Sequence, residues 1–329
     1  MLNNKYLLVP CTLLIVSMGY IRNINTDNAS LLAQARDIVI ESKEKTDQYE
    51  IDKNILIADE LSKASISEDK KKLEKPEIPP PRPDISVEAY LIGNIETGEI
   101  YMSNNVESVF PIASLSKLYT ALVVHHLFNL SEKIPITQSV IDTYGDSGHL
   151  VLGEKFLPNE LMYPLLLESS NDAAQAFDEY FGHDKFITAM NELTKEIEMN
   201  STYFVDASGL SPQNVSKASD LFKLAQYLYK NEKDILEISR TKEISMPKTD
   251  EHESHNFINI NPYSNYNGFI GGKTGRTEWA KESMISLFNQ NIQDVNFPLA
   301  IIILRSDIGQ REINTEKLLG KFMDKVSIN

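Results

Sequence analysis

Between Leu115 and Phe128 the chain is apolar on almost every side of a helical wheel, with Lys117 as its one charged residue. A helix that is hydrophobic all round has no face to offer water, so it belongs inside a domain rather than on one. The rest of the chain must then supply layers on several sides of it. A lysine in such a helix is costly unless its charge is paired or its proton is given up. Pro111 leads the turn just ahead, and Ser114 stands at the helix start, one turn from Lys117.

That pairing suggests chemistry. A hydroxyl at a helix start feels the partial positive charge of the unpaired N–H groups. Residues three apart share a helix face, so the Lys117 amine can reach the Ser114 hydroxyl. Serine is a poor nucleophile until a base takes its proton, and lysine is that base only when burial and other cations depress its pKa. The spacing alone is not specific. Ser-x-x-Lys recurs at Ser42/Lys45, Ser67/Lys70, Ser239/Lys242 and Ser245/Lys248, in charged or Pro-flanked stretches with no buried helix behind them.

Composition narrows the function classes. A net charge of −15 with Lys and Arg interspersed among Asp and Glu leaves no basic surface for phosphate contacts, which excludes a nucleic-acid binder. The one cysteine, Cys11, permits neither an internal disulfide nor a cysteine zinc site. No cofactor or metal is called for. The only His/carboxylate cluster, Asp250-Glu-His-Glu-Ser-His255, lacks His-Glu-x-x-His spacing, as do His125, His126 and His149, so a metallopeptidase is disfavoured. That cluster is expected to be a polar loop.

Three regions are expected. Residues 1–22 hold the uncharged apolar run Tyr6 to Ile21 between Lys5 and Arg22, an export signal read as an uncleaved membrane anchor, with a signal cleaved near Ser17-Met-Gly19 as the alternative. Residues 23–84 are charged and end in Lys75-Pro-Glu-Ile-Pro-Pro-Pro-Arg-Pro-Asp84, which suits a stalk with a polyproline end. Residues 85–329 form the globular domain. There, strands are expected at Val87–Asn94 and Glu99–Ser103 around a Glu96-Thr-Gly98 turn, and again at Gly268–Thr274, Ser283–Asn289 and Phe297–Leu304. Helices fill the middle, at Leu157–Glu168, Ala173–Phe181, Lys185–Ile197 and Ala218–Lys230, and one more closes the chain at Glu312–Val326. Strands at both ends around a helical block predict an α+β fold, one antiparallel sheet flanked by helices.

Ser114-Leu-Ser-Lys117, Ser169-Ser-Asn171 and Lys273-Thr-Gly275 follow in an order that marks penicillin-binding proteins and class A β-lactamases. From about Val87 to Lys325 the chain resembles the low-molecular-weight D-alanyl-D-alanine carboxypeptidases. The likeness rests on Phe110-Pro-Ile-Ala-Ser-Leu-Ser-Lys117, Leu166-Leu-Glu-Ser-Ser-Asn-Asp-Ala-Ala174, Phe204-Val-Asp-Ala-Ser-Gly-Leu210 and Ser219-Asp-Leu221.

The resemblance implies an envelope enzyme of bacteria, acting outside the cytoplasm on peptidoglycan stem peptides ending in D-Ala-D-Ala and inhibited by β-lactams. It implies Ser114 as the acylated nucleophile and Lys117 as its base. Ser169 would relay the proton to the leaving amine, and Asn171 would orient Lys117 and the substrate backbone. Lys273 and Thr274 would hold the terminal carboxylate, with Arg276 as a second cation, and the N–H groups of Ser114 and Arg276 would form the oxyanion hole. Gly271, Gly272 and Gly275 would leave room for the substrate along the strand. Ser170 departs from the family, which often has glycine at that tight corner. No Glu-x-x-Leu-Asn pattern lies between the second and third motifs, against a class A β-lactamase. A DD-endopeptidase and a non-catalytic wall-binding protein are the other readings.

Overall fold

The computed structural model describes residues 85–127, 131–145, 148–293 and 295–327. All of them fall within one compact unit, 80–329. The expected anchor, stalk and linker up to residue 84 lie outside the described residues. Among the described residues no helix is long and apolar enough to cross a membrane.

The sheet comes from the two ends of the unit. Its strands are β1 (Val87–Asn94), β2 (Ile100–Asn104), and, far along the chain, Phe269–Thr277, Lys281–Ile292 and Val295–Ser306. Between them lie the short pairs β3 (Phe110–Pro111) with β6 (Val215–Ser216), β4 (Ile134–Pro135) with β5 (Lys155–Phe156), and β7 (Glu243–Met246) with β8 (His255–Ile258), so the last three sheet strands are β9, β10 and β11. The sheet order is β2-β1-β11-β10-β9, antiparallel throughout. The N-terminal hairpin turns at Gly98, whose φ of 83° suits glycine, and the Asn94 side chain accepts from the Glu96 and Thr97 N–H groups.

Both faces of this sheet are covered, and the alternation of its strands shows how. Leu91, Ala300, Ile302 and Leu304 point into the larger core under the helical block. Their neighbours Ile92, Leu299, Ile301 and Ile303 point the other way, onto Leu318 and Phe322 of the closing helix. A strand buried on both sides reads as a continuous hydrophobic run, which is what Leu299 to Leu304 is. Each such side chain contributes about 1.5–3 kcal/mol by leaving water.

The helices are α1 (Ser116–Leu127), α2 (Gln138–Ile141), α3 (Pro158–Leu167), α4 (Asn171–Phe181), α5 (His183–Glu196), α6 (Ala218–Asn231), α7 (Lys233–Arg240) and α8 (Arg311–Ser327). Helix α1 runs through the centre, packed on α3, α4, α5 and α7. Its residues from Leu118 to Val124 are buried all round, as its composition requires. The fold is thus the expected α+β arrangement, with strand and helix ends shifted by at most three residues.

Two elements differ from expectation. The cluster Asp250–His255 is the turn of a β-hairpin rather than a plain loop, and its second strand starts at His255. His252 stacks on Phe156 at 4.7 Å and His255 on Phe257 at 5.5 Å. The buried Glu154 carboxylate accepts from the Glu253 N–H and bonds His255 Nε2, each at 2.9 Å. These polar residues therefore pin the hairpin to the β4–β5 pair, and no metal cluster occurs among the described residues. Helix α7 is the second: eight residues that bury Ile235, Leu236 and Ser239 on one face, a span too short to stand out in the sequence.

Candidate active site

Ser114 does not open α1 itself. It sits in a 3-10 turn, Ala113–Leu115, and the α-helix begins at Ser116. Ala113 takes a left-handed φ of 50° to make this corner. The Ser116 hydroxyl donates to the Ala113 carbonyl at 2.8 Å and accepts from Asn214 Nδ2 at 3.1 Å, so the strained corner is tied down from within the core.

Lys117 is fully buried on α1. Its Nζ lies 3.0 Å from Ser114 Oγ, 2.7 Å from Asn171 Oδ1 and 2.7 Å from the Ser208 carbonyl. Burial pushes its amine from the ordinary 10.5 down to about 7, against the opposing pull of the Asp206 carboxylate. A neutral amine in that position accepts the serine's proton; an ammonium cannot.

Asn171 is the first residue of α4, and Ser170 caps that helix by accepting from the Ala173 N–H at 3.1 Å. The left-handed residue of this corner is Ser169, at φ 62°, so the serine standing where glycine is common carries no backbone strain. Asn171 Nδ2 donates to the Tyr144 carbonyl at 2.7 Å, which fixes which amide end faces Lys117.

The third motif lies on the edge strand β9. Lys273 is buried, its Nζ donating to the Thr274 carbonyl at 3.0 Å. Burial first, then the Lys117 and Arg311 charges, hold its amine well below the ordinary value. The mutual repulsion expected of the two lysines is thus present at Lys273, whereas burial alone is what lowers Lys117.

The three glycines lie close against their own protein. A Cβ on Gly272 would run into the Ile285 carbonyl of β10, and one on Gly271 would sit 2.6 Å from Ser239 Oγ of α7. At Gly275 it would lie 2.9 Å from the Ile112 carbonyl and 3.2 Å from the Ser114 amide nitrogen. These positions are glycine so that β9 can press against its own protein, and at Gly275 that approach brings Arg276 beside Ser114.

A cleft of about 900 Å³ opens over this junction. Ser114, Ser169, Asn171, Thr274, Gly275 and Arg276 line it, while Lys117 and Lys273 lie buried out of its lining. Its volume is that of a small-molecule or peptide-end site. Apolar rim residues Tyr144, Leu210, Ile260 and Ile308 face polar groups across it. The hairpin β7–β8 sets one rim, since Ile258 N–H donates to Glu168 and Ile260 N–H to the Leu167 carbonyl, both at 3.0 Å.

Sequence reasoning missed three contributors. Arg311, at the start of α8, lines the cleft, reaches the Gly275 carbonyl at 3.4 Å and acts on Lys273, while Arg276 is exposed. Arg311 is therefore the cation coupled to Lys273. The Ser208 carbonyl and the Asp206 carboxylate are the others.

A family model described as D-alanyl-D-alanine carboxypeptidase matches residues 75–304, more than two-thirds of the 329-residue chain. A D-alanyl-D-alanine endopeptidase of Escherichia coli is 35% identical over 147 residues, 44% of this chain and 47% of that protein. The chain spans about half the length of this and two further curated endopeptidases. A D-alanyl-D-alanine carboxypeptidase of Streptomyces is 25% identical over 261 residues, 72% of this chain and 87% of its own. Among solved structures, a Streptomyces DD-transpeptidase superposes with a TM-score of 0.65 at 25% identity, over 74% of this chain and 99% of the other. A Mycobacterium tuberculosis D-alanyl-D-alanine carboxypeptidase gives 0.66 at 21% identity, over 74% and 92%, a likeness of fold. On the family match, this chain belongs to the D-alanyl-D-alanine carboxypeptidase family.

Proposed function

We propose that the protein is a serine-type D-alanyl-D-alanine carboxypeptidase of the bacterial cell envelope. It removes the terminal D-alanine from peptidoglycan stem peptides through an acyl-enzyme on Ser114. The observation that carries this reading is the 3.0 Å approach of a buried, readily neutral Lys117 to Ser114 Oγ at the floor of the cleft.

As Ser114 Oγ attacks the carbonyl carbon of the D-Ala-D-Ala bond, its proton passes to Lys117 Nζ. Asn171 and the Ser208 carbonyl hold that nitrogen in place. Negative charge growing on the substrate oxygen meets the N–H groups of Ser114 and Arg276, donors fixed beforehand by the approach of β9. Ser169, which lines the same cleft as Ser114, relays the proton to the departing D-alanine amine. Thr274 and Arg276 receive the substrate carboxylate, backed by Lys273 and Arg311. Water then hydrolyses the ester. β-Lactams enter by the same first step and stay bound as long-lived esters.

A DD-endopeptidase is the second reading, favoured by the names of the three relatives at 31–35% identity. Incubating the full chain with an N-acylated D-Ala-D-Ala peptide and with a cross-linked stem-peptide dimer separates the two. Free D-alanine from the linear peptide, with the dimer intact, is the result this proposal expects; cleavage of the dimer alone would replace it with the endopeptidase.

We also read residues 1–22 as a membrane tether, residues 23–84 as a stalk and residues 85–329 as the catalytic domain, supported by the apolar run Tyr6 to Ile21 and the proline cluster before Asp84. Membrane fractionation of the full chain, against a chain starting at Ile85, tests the tether.

A further inference from the structure

Asp206 lies outside the three motifs, yet its carboxylate is saturated with donors. Oδ1 accepts from the Ser208 N–H and the Ser208 hydroxyl, both at 2.8 Å, and from the Gly209 N–H at 2.6 Å; Oδ2 accepts from the Ser211 N–H at 2.8 Å. Four short bonds to one side chain fix a turn whose two middle residues touch the reaction centre. Ser208 presents its carbonyl to Lys117 Nζ at 2.7 Å. Gly209, at φ 85°, packs so tightly on the Ala113 carbonyl and the Ser114 amide that a Cβ would clash. The turn is held to the core as well, because Asn214 Nδ2 donates to the Asp206 carbonyl at 2.8 Å and Thr120 Oγ1 to the Ala207 carbonyl.

We propose that Asp206 is the positioning residue of this site: its carboxylate builds the turn that aims the Ser208 carbonyl at the Lys117 amine, seats Gly209 against Ser114, and brings a negative charge to that turn. This rests on the reading of Lys117 as the base for Ser114. A carbonyl acceptor fixes the direction of one N–H of Lys117, Asn171 fixes another, and the remaining lone pair is left aimed at Ser114 Oγ. Charge matters in addition to shape. The cations of the site are Lys273 on β9 and Arg311 on α8; the Lys117 and Arg311 charges act on the Lys273 amine, whereas burial is what lowers Lys117. Asp206 is the carboxylate that opposes burial at Lys117. The charged groups that face Asp206 from the remaining side are Asp178 of α4 and His183 of α5, themselves an ion pair at 2.8 Å.

The test is the pH dependence of acylation by benzylpenicillin, measured by stopped flow on the full chain for the wild type, Asp206→Asn, Asp206→Thr and Asp206→Glu. Circular dichroism checks each fold. Asn keeps one acceptor oxygen but points an amide N–H₂ at the Ser211 N–H; Thr keeps an acceptor without that clash, so a neutral variant is available if Asn misfolds. The expected result is an acid limb displaced to lower pH in both neutral variants, with a plateau rate several-fold lower because the base is weaker. Asp206→Glu restores the position of the limb. An acid limb that stays at the wild-type pH while only the plateau falls would reduce Asp206 to a turn former and overturn the proposal. A wild type that is not acylated at Ser114 would sink the reading of the site itself, an outcome distinct from the first.

Discussion

Lys117 Nζ and Asn171 Oδ1, 54 positions apart in sequence, meet at 2.7 Å beneath the cleft floor, and that bond joins the buried helix α1 to the start of α4. With the Ser208 carbonyl it occupies two directions around the amine and leaves the third for Ser114.

Replacing Asn171 by alanine removes this bond and the one to Tyr144, so acylation by penicillin should slow by about 10²-fold, the low end for a general-base step. Asn171→Asp should behave differently. A carboxylate against Lys117 favours the ammonium, so the acid limb of the acylation profile should move to higher pH. Stopped-flow rates across pH distinguish the two; identical profiles would break the assignment of Asn171 as the partner of the base.

For Lys117 itself the sign of the pH effect is fixed by burial. Its folded value of about 7 lies below the unfolded 10.5, so between them the unfolded chain holds a proton that the folded one has released. Stability therefore rises with pH through that window, and below it the folded protein carries the full penalty of a buried charge. Lys117→Met should abolish acylation, and its melting temperature relative to wild type should be higher at mildly acidic than at mildly alkaline pH. A difference independent of pH, read by calorimetry, would mean that Lys117 stays charged.

Arg311 and Arg276 both line the cleft, but the first reaches Gly275 and acts on Lys273. Arg311→Ala should raise KM for carboxylate-bearing peptides about tenfold or more, in keeping with the loss of a charge-assisted hydrogen bond. Arg276→Ala should have the smaller effect. Steady-state kinetics on an acyl-D-Ala-D-Ala peptide and its C-terminal amide show whether the loss tracks the carboxylate.

Gly209→Ala tests the turn geometrically. A left-handed φ and a Cβ driven into the Ala113 carbonyl should cost about 2 kcal/mol or more and displace Ser114. Thermal melts and acylation rates should fall together; a variant with wild-type values for both would show that the corner has slack.

What was legible in the sequence follows from what leaves a local mark. The all-round apolar run gave away α1, and Leu299 to Leu304 read as a strand because both its faces are buried. Helix α7 spans eight residues and the strands β7 and β8 four each, so the apolar face of the one and the alternate burial in the other rest on too few positions to stand out in the sequence. In the site, side chains with a chemical identity could be named in advance. The Ser208 carbonyl could not, since a backbone acceptor has no residue signature and lies 91 positions from Lys117. Arg311 is hidden likewise, brought to Gly275 from 36 positions away by the packing of α8 on the sheet. The glycines of β9 were visible as glycines, but whether they yield to substrate or to Ile285, Ser239 and Ser114 is a matter of packing alone.

The central claim is that Ser114 forms the acyl-enzyme. Intact-mass spectrometry of the full chain after incubation with benzylpenicillin, followed by peptide mapping, tests it directly. The account predicts one penicilloyl adduct, on Ser114, absent from Ser114→Ala, which loses only about 0.5–1.5 kcal/mol of stability with its single hydrogen bond. An adduct on another residue, or no adduct with the drug left intact, would contradict it.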